Sequence, residues 1–306
     1  MGRSHELEAI ELLASLIGPG PEGEVWIGDD AAVLGPASTP VLFATDLAAE
    51  GVHFDRRHGT LADLGWRVLV QNLSDIAAMG GRPRAAVVAV AGAGFDEIGL
   101  IYEGLLEASR RFGCPVVGGD LSDATALNIS VAILGDAAGA APVLRSGAGP
   151  GETVFVTGPL GAASAGLREL RADPSARSAC TAAFLRPVPR LGEGVAAALG
   201  GARAMIDVSD GFGIDLRRLA EASGVGVALD EVPAAPGATS DEALGGGEDY
   251  ELVLVAAPGT VDALCADYED AGLRPPRPIG VIVADPSVRM LRGEPLARLG
   301  WQHRVG

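Results

Sequence analysis

Residues 60–81 read TLADLGWRVLVQNLSDIAAMGG, in which apolar side chains recur at the three- and four-residue spacing of an amphipathic helix. Thr60 and Asp63 at its start resemble a capping box, with Asp in place of the usual Glu. Gly80 and Gly81 at its end are typical of a helix terminus. The segment therefore predicts a helix with one buried face. That face consists of Leu61, Leu64, Val68, Leu69, Leu73 and Ile76.

Asp75 lies on or beside this buried face. It follows Gln71, Val68 and Leu64 by four, seven and eleven residues. Burying a carboxylate is unfavourable unless the group is paired or bound to a metal. The chain contains no lysine, and no arginine lies in the neighbouring turns, so a divalent cation is a natural partner. Oxygen ligands favour Mg²⁺, Mn²⁺ or Ca²⁺ over zinc. The alternative is a solvent-facing residue near the helix end.

Helical and strand patterns are mixed along the whole chain, which indicates an α+β fold. The strand patterns cover residues 25–27, 41–44, 115–117, 127–133, 153–157, 204–207, 251–256 and 279–284. The helical patterns cover residues 6–17, 60–80, 96–112, 162–171, 190–199 and 214–223. Residues 135–151 are rich in Gly, Ala and Pro and form the candidate boundary between two domains, 1–140 and 141–306.

Composition excludes several classes of protein. The chain has 306 residues, of which 48% are hydrophobic, so it can fill a core and is not mainly disordered. It carries 40 acidic and 23 basic residues, and a net charge of -17 makes nucleic acids and anionic membranes poor partners. All the basic residues are arginine. Enzymes that need a lysine, such as P-loop proteins, protein kinases and Schiff-base enzymes, are therefore excluded.

Nothing in the sequence indicates a membrane or secreted protein. No apolar run approaches the ~20 residues of a membrane-spanning helix. The first residues lack the apolar core of a signal peptide. The three cysteines, Cys114, Cys180 and Cys265, are too scattered for a disulfide framework or a zinc site. We therefore expect a cytoplasmic protein.

Carboxylates beside glycine, at the expected strand ends, recur along the chain. The motifs are Gly28-Asp29-Asp30, Thr45-Asp46, Ser74-Asp75, Gly118-Gly119-Asp120, Asp207-Val208-Ser209-Asp210-Gly211 and Gly247-Glu248-Asp249. Each alone is typical of a turn or a helix cap, but six in one chain favour a metal and phosphate site. Arg145, in a glycine-rich stretch, is either a phosphate ligand or a surface arginine. Together the motifs indicate a Mg²⁺-dependent enzyme that acts on phosphates.

Read in order, the motifs resemble those of the thiamine-monophosphate kinase family, within the aminoimidazole ribonucleotide synthetase-like superfamily. The resemblance covers nearly the whole chain. It rests on Glu6-Leu-Glu-Ala-Ile10, Ile27-Gly-Asp-Asp-Ala-Ala-Val33, Thr45-Asp46, Glu50-Gly-Val-His-Phe54, Gln71–Gly80, Gly118-Gly-Asp120, Arg145-Ser-Gly147, Ile206-Asp-Val-Ser-Asp-Gly211, Gly246-Gly-Glu-Asp-Tyr-Glu-Leu252 and Gly300-Trp-Gln-His303. It implies ATP- and Mg²⁺-dependent phosphorylation of thiamine monophosphate to thiamine diphosphate.

The resemblance also implies roles for individual residues. The metal ligands would be Asp30, Thr45, Asp46, Asp75, Asp120, Asp207 and Asp210, with Asp30, Asp75 and Asp210 essential for catalysis. ATP would contact Tyr102, Gly119, Asp120, Arg145 and Ser209. Thiamine monophosphate would contact His53, Glu248 and Trp301. The implied fold has two domains, each a mixed sheet flanked by helices. The N-terminal domain would bind ATP and Mg²⁺ and form a homodimer, and the C-terminal domain would complete the site.

The chain departs from the family pattern in three places. Ala44 replaces the usual Ser before Thr45, residues 231–244 form a short segment, and the chain ends His303-Arg-Val-Gly306.

The implied nucleophile is a phosphate monoester oxygen, largely ionised at pH 7, so we expect direct in-line transfer without a general base or phosphoenzyme. Two alternatives stay open. They are another ATP-dependent enzyme of the superfamily and a non-catalytic protein that binds nucleotides or cations.

Overall fold

The computed structural model describes residues 12–18, 21, 37–138, 141–297 and 300–301, and these form two compact units. The first unit holds the described residues up to Leu73 together with Pro83–Asp136. The second unit holds Ser74–Arg82 together with the described residues from Ala137 onward. One helix crosses the boundary, so residues 74–78 at its end belong to the second unit.

In the described part of the first unit, the sheet has four strands in the order β1-β4-β2-β3. The strands are β1 (Val41–Ala49), β2 (Gly81–Ala91), β3 (Val116–Ser122) and β4 (Asn128–Ala137). The β1–β4 pair is antiparallel and the β2–β3 pair is parallel, so the sheet is mixed. Every second side chain of β4 is buried, as expected for a strand that covers a core with one face.

Two amphipathic helices, α1 (Leu61–Ala78) and α2 (Phe95–Phe112), belong wholly or mainly to this unit. The expected capping box begins α1, because the Thr60 N–H donates to Asp63 Oδ2 at 3.0 Å and the Asp63 N–H donates to Thr60 Oγ1 at 3.1 Å. A left-handed Gly113 with φ 68° ends α2. The charges of α2, acidic in its first turn and basic in its last, match the helix dipole.

Two glycines allow α1 and α2 to approach each other closely. A Cβ atom on Gly65 would lie 1.9 Å from the Ile101 carbonyl oxygen, and one on Gly104 would lie 1.7 Å from the Ala62 carbonyl oxygen. Both distances are far below van der Waals contact, so only glycine fits at either position. The two helix backbones are therefore packed against each other at these points.

One face of β1 is apolar and exposed. Val41, Phe43 and Leu47 on this face are 51%, 72% and 52% exposed, whereas Leu42 and Ala48 on the other face are buried. Phe43 is paired across the sheet with Leu134 of β4, which is partly exposed. We call the exposed side chains of Val41, Phe43, Leu47 and Leu134 the outer apolar face.

The second unit contains, within its described range, a seven-stranded mixed sheet in the order β11-β10-β7-β9-β5-β8-β6. Its strands are β5 (Thr153–Val156), β6 (Ala204–Asp207), β7 (Gly226–Leu229), β8 (Leu252–Ala256), β9 (Arg277–Val283), β10 (Arg289–Leu291) and β11 (Glu294–Pro295). Among these described strands, only β7 and β10 pair in parallel. β6 and β8 are buried along their whole length, so both faces of the sheet are covered there.

Six helices and one short 3-10 turn of the second unit are described. They are α3 (Ala162–Ala172), α4 (Ala179–Leu185), α5 (Leu191–Leu199), α6 (Phe212–Ser223), α7 (Ser240–Gly245), α8 (Val261–Asp270) and the 3-10 turn Pro258–Thr260. Phe212 and Leu216 of α6 pack into an apolar core with Val253 and Val255 of β8. This packing fixes α6 directly after β6, and three of the candidate residues, Asp207, Ser209 and Asp210, lie between the two elements.

The structure confirms the expected α+β fold with two mixed sheets. It also corrects several expectations about the elements. Asp46 and Asp120 lie inside β1 and β3, and not at strand ends, because both strands continue several residues beyond the expected limits. The sequence did not predict β2, β7, β10, β11, α4, α7 or α8. Residues 12–17 are helical as expected, whereas residues 6–11 and the strand expected at 25–27 lie outside the described residues.

None of the described helices is long and apolar enough to cross a membrane.

Candidate active site

The loop Asp207-Val208-Ser209-Asp210-Gly211 connects β6 to α6 in the second unit. Asp207, the last residue of β6, is buried, and Ser74 Oγ donates a hydrogen bond of 2.6 Å to its Oδ2 atom. Ser74 is buried as well, so the end of α1 and the end of β6 meet through two buried polar side chains. Asp75 follows Ser74 on α1 and is only partly buried.

Asp215, in the first part of α6, holds this loop by its backbone. Three consecutive N–H groups donate to a single oxygen, Asp215 Oδ2. They belong to Ser209, Asp210 and Gly211, at 3.1, 3.0 and 3.1 Å. Burial, together with the charge of the nearby Asp207, raises the pKa of Asp215, whereas these N–H groups and Arg218 act in the opposite direction.

Arg218 links two carboxylates of the same region. Its Nη1 atom lies 2.6 Å from Asp210 Oδ2 and 2.7 Å from Asp215 Oδ1. The guanidinium thus neutralises part of the negative charge that Asp207, Asp210 and Asp215 bring together.

A second loop, residues 246–250, is hydrogen-bonded to the first. The Glu248 N–H donates to the Ser209 carbonyl at 2.8 Å, and the Tyr250 N–H donates to the Val208 carbonyl at 2.9 Å. Glu248 and Tyr250 have φ angles of 66° and 50°, a left-handed conformation that non-glycine residues rarely adopt. The close packing of Gly247 against the Ser209 carbonyl, with a Cβ site 2.5 Å away, requires glycine there.

Asp249 attaches the second loop to the start of α3. Its carboxylate accepts N–H groups from Gly161 at 2.5 Å and Ala163 at 3.1 Å. Burial raises the pKa of Asp249 to about 7, although the backbone N–H groups act to lower it. The residue on either side of Asp249 has positive φ, so this side chain stabilises a strained loop.

Trp301 joins the same region from the C-terminal end. Its backbone N–H donates to the Asp210 carbonyl at 2.8 Å, and its side chain is 52% exposed. The structure therefore brings together, within the second unit, five of the candidate residues, and a sixth, Asp75, directly follows Ser74, which binds Asp207. The five are Asp207, Ser209, Asp210, Glu248 and Trp301.

Arg145 lies at a different place in the second unit. Its neighbour Leu144 accepts the Met205 N–H near the start of β6, whereas Asp207 is at the end of that strand. The Arg145 carbonyl accepts a hydrogen bond from Ser223, the last residue of α6. The Arg145 side chain is exposed, and no described contact brings it to the loop after β6.

Thr45 and Asp46 are adjacent residues of β1 in the first unit, so their side chains point to opposite faces of the sheet. Thr45 Oγ1 donates to the Val131 carbonyl at 2.9 Å. Ser130 Oγ donates to the Asp46 carbonyl at 3.1 Å. The side chain of Thr45 therefore lies on the same face of β1 as Phe43 and Leu47, and that of Asp46 lies on the opposite face.

His53 lies shortly after β1 in the first unit and is partly buried. The Ala49 N–H donates to His53 Nδ1 at 3.0 Å. Nδ1 is thus an acceptor, and the neutral ring carries its proton on Nε2, which is the atom able to donate to a ligand.

Gly119 and Asp120 lie in β3, and both are exposed. A Cβ atom on Gly119 would lie 1.9 Å from the Val88 carbonyl, so the close β2–β3 pairing requires glycine at this position. Tyr102 is only 1% exposed, and burial raises the pKa of its phenol. A direct contact between its side chain and ATP is not supported, because almost none of its surface is accessible.

Asp30 lies outside the described residues. Among the residues that are described, no group of three or more His, Cys, Asp or Glu side chains is placed to hold a metal ion. The remaining expected ligands nevertheless suit Mg²⁺ in kind, because all supply hard oxygen donors. Asp207 is buried, and its charge contributes to the raised pKa of Asp215.

Sequence reasoning assigned no role to Asp215, Arg218 or Asp249. A signal existed for Asp215, because an acidic residue in the first turn after a Ser-Asp-Gly loop is suited to bind the loop's N–H groups. The position of Arg218 one turn later points to the same face of the helix. Asp249 was part of a quoted motif, but its binding to the start of α3 depends on tertiary structure.

Comparisons with known proteins identify the family of the chain. Residues 28–137 match the family model described as AIR synthase related protein, N-terminal domain, and residues 149–292 match the C-terminal domain. The thiamine-monophosphate kinase of Mycobacterium tuberculosis is 38% identical over 242 residues, covering 74% of this chain and 73% of the relative.

Two solved structures are similar over nearly the full length. The crystal structure of thiamine-monophosphate kinase from Stenotrophomonas maltophilia has a TM-score of 0.80 and 30% identity, covering 97% of this chain and 98% of that one. The structure of AaThiL complexed with AMPPCP and TMP has a TM-score of 0.78 and 29% identity, covering 99% of both chains. By sequence and by fold, the chain belongs to the thiamine-monophosphate kinase family.

Proposed function

We propose that this chain transfers a phosphoryl group from ATP to thiamine monophosphate and so produces thiamine diphosphate. The observation that carries the proposal is the full-length similarity to a family member complexed with an ATP analogue and TMP. The second unit adds support, because its loops place Ser209, Asp210 and Glu248 beside one another through backbone hydrogen bonds.

In this proposal the second unit supplies contacts to both substrates. Ser209, at the start of the loop after β6, binds ATP. Glu248 and Trp301 bind thiamine monophosphate. Trp301 has the exposed indole that a cationic thiazolium ring requires for cation–π attraction. Glu248 supplies a negative charge or a hydrogen-bond acceptor to the same ligand.

The proposed N-terminal domain, residues 1–140, supplies contacts with ATP and Mg²⁺ through Gly119 and Asp120. The Nε2–H group of His53 donates a hydrogen bond to the substrate. Arg145 binds a phosphate group of ATP, and its exposed side chain is compatible with that role. Residues 141–306 complete the site for substrate and nucleotide.

The residues proposed to hold Mg²⁺ are Asp30, Thr45, Asp46, Asp75, Asp120, Asp207 and Asp210. Mg²⁺, when bound, neutralises charge on the phosphoryl groups and reduces repulsion between the two anionic substrates. The protein has no need of a general base, since the acceptor phosphate is largely ionised at pH 7. Its residues orient the two substrates for direct in-line transfer, without a phosphoenzyme.

A chromatographic product assay tests this function. Purified protein is incubated with ATP and either thiamine monophosphate or thiamine, with Mg²⁺ or with excess EDTA. We expect thiamine diphosphate only from the monophosphate and only with Mg²⁺. If ATP binds but no thiamine diphosphate forms, another activity of the superfamily or a non-catalytic binding role replaces this proposal. An acid-stable phosphoprotein formed from labelled ATP alone would contradict direct transfer.

We also propose that the protein is a homodimer in the cytoplasm. The outer apolar face of the first unit is a surface that a second copy of the chain could cover. The free cysteines Cys114, Cys180 and Cys265 are compatible with a reducing compartment.

A further inference from the structure

Asp215 is buried, and both of its carboxylate oxygens are used. Oδ2 accepts the N–H groups of residues 209–211, and Oδ1 accepts the guanidinium of Arg218. Four donors therefore surround one side chain, which is 0% exposed. An ionised carboxylate satisfies this arrangement, whereas an amide would turn a donor toward either Arg218 or the loop.

The loop that Asp215 holds is fixed on its other side by the two segments that carry the proposed substrate contacts. The carbonyl groups of Val208, Ser209 and Asp210 accept N–H groups. The donors are Tyr250, Glu248 and Trp301, respectively. Each peptide group of the loop is thus bound by its N–H to Asp215 or by its carbonyl to a neighbouring segment. A shift of the loop would move Glu248 and Trp301 as well as Ser209.

The loop requires such support because its conformation is unusual. Gly211 has a φ angle of 125°, and a Cβ atom there would lie 2.8 Å from the Gly245 carbonyl oxygen. Three successive N–H groups point to one side, an arrangement that an anion stabilises. Asp215 also helps to fix the side chain of Asp210, because Arg218 Nη1 binds both carboxylates.

We propose that Asp215 is a positioning residue that holds Ser209, Asp210, Glu248 and Trp301 in register for the two substrates. This inference rests on the proposed function for the identity of the substrates, but not for the geometry. Asp215 acts through the residues that it holds, and its proposed role includes no contact with a substrate or a metal.

The test compares Asp215→Asn with the wild type and with Asp285→Asn. Asp285 also accepts a backbone N–H, that of Ser287 at 2.9 Å, but in an exposed turn outside the site. We expect Asp215→Asn to raise the KM for ATP and for thiamine monophosphate by about tenfold or more, because small misplacements of binding groups have large effects. Asp285→Asn should leave both KM values unchanged.

Hydrogen exchange provides a second measurement that does not require activity or a folded variant. In the wild type without substrates or metal, the amides of residues 209–211 should exchange slowly although they lie in a loop. In Asp215→Asn, if it folds, exchange should accelerate at these amides more than in the core strands β6 and β8. A general loss of stability would accelerate all of them together.

The outcomes separate this inference from the proposed function. Rapid exchange at residues 209–211 in the wild type would overturn the role of Asp215. A folded Asp215→Asn variant with wild-type KM values and unchanged exchange would also overturn it. If the wild type makes no thiamine diphosphate, the proposed function fails. If the amides of residues 209–211 are nevertheless protected, the positioning role of Asp215 is tested through the Kd of AMPPCP. Unchanged AMPPCP affinity in Asp215→Asn would then contradict it.

Discussion

Ser74 and Asp75 are neighbours on α1, but their side chains point about 100° apart around the helix and have different surroundings. Ser74 is buried against Asp207, whereas Asp75 is partly exposed beside it. We infer different roles for the two residues: Ser74 orients Asp207, and Asp75 is one of the proposed metal ligands.

We predict that Asp75→Asn reduces turnover by about 100-fold or more while the protein stays folded, because an amide replaces an anionic ligand without changing shape. Steady-state assays at saturating Mg²⁺, together with thermal unfolding, would measure both effects. Asp270→Asn, at an exposed position of α8, is the charge-matched control and should be fully active. Near-normal turnover of Asp75→Asn would remove Asp75 from the metal site.

Glu97 provides a pH-dependent contribution to stability at the start of α2. Its carboxylate accepts the Gly94 N–H at 2.9 Å and pairs with Arg56, and these contacts lower its pKa below the ordinary value of 4.5. A lowered folded-state pKa means that the contribution is present above pH 4.5 and is lost as the pH falls through the folded-state pKa.

We therefore predict that Glu97→Gln lowers the free energy of unfolding by about 0.5 to 1 kcal/mol at pH 7, a modest value because the pair is partly exposed. The difference from the wild type should shrink toward pH 3. Urea denaturation at several pH values would measure it. Glu103→Gln, an exposed position in the middle of the same helix, is the control. A difference that is constant with pH would contradict the contribution of the Glu97 charge.

At the scale of elements, the contact between α1 and α2 depends on two glycines. Gly104→Ala places a Cβ 1.7 Å from the Ala62 carbonyl, so the helices must separate. We predict a loss of about 2 kcal/mol in the free energy of unfolding. The matched control is Gly99→Ala on the same helix, where a Cβ meets nothing within 4 Å. That variant should be more stable by about 0.5 to 1 kcal/mol, because alanine favours a helix. Equal effects of the two substitutions, measured by urea denaturation, would exclude close packing as the cause.

Elements with strong local signals could be predicted from the sequence. α1 has both an apolar stripe and a capping box, and β4 alternates cleanly. β2 was missed because its stability comes from pairing with distant strands, while its sequence is rich in alanine and contains Pro83. For the same reason Asp46 and Asp120 were expected at strand ends, although pairing extends β1 and β3 past them.

The candidate site shows the same division between local and long-range information. Its motifs could be read directly, and they led to the residues that the loops after β6 and before β8 bring together. The positive φ angles of Glu248 and Tyr250 could not be predicted, because they result from hydrogen bonds to residues 208 and 209, about forty positions earlier. The burial of Tyr102 also depends on packing that a motif does not record.

At the scale of the whole molecule, two opposing properties determine self-association. Each chain carries a net charge of -17, so two copies repel each other, and salt screens that repulsion. The outer apolar face favours association, because Phe43 is 72% exposed and covering it would remove apolar surface from water. We therefore expect a dimer that becomes tighter as the salt concentration rises.

Light scattering coupled to size-exclusion chromatography tests this expectation. The wild type should have twice the chain mass of 30.9 kDa, and Phe43→Glu should have the mass of one chain, because it buries a charge in the interface. Leu100→Glu adds the same charge at a leucine that is 49% exposed on α2, and it should remain dimeric. A wild-type monomer at 0.5 M salt would exclude the dimer. If Phe43→Glu is still a dimer, the dimer interface lies elsewhere on the chain. An interface over the outer apolar face would lose much of its affinity, because the carboxylate at position 43 would be buried without a partner.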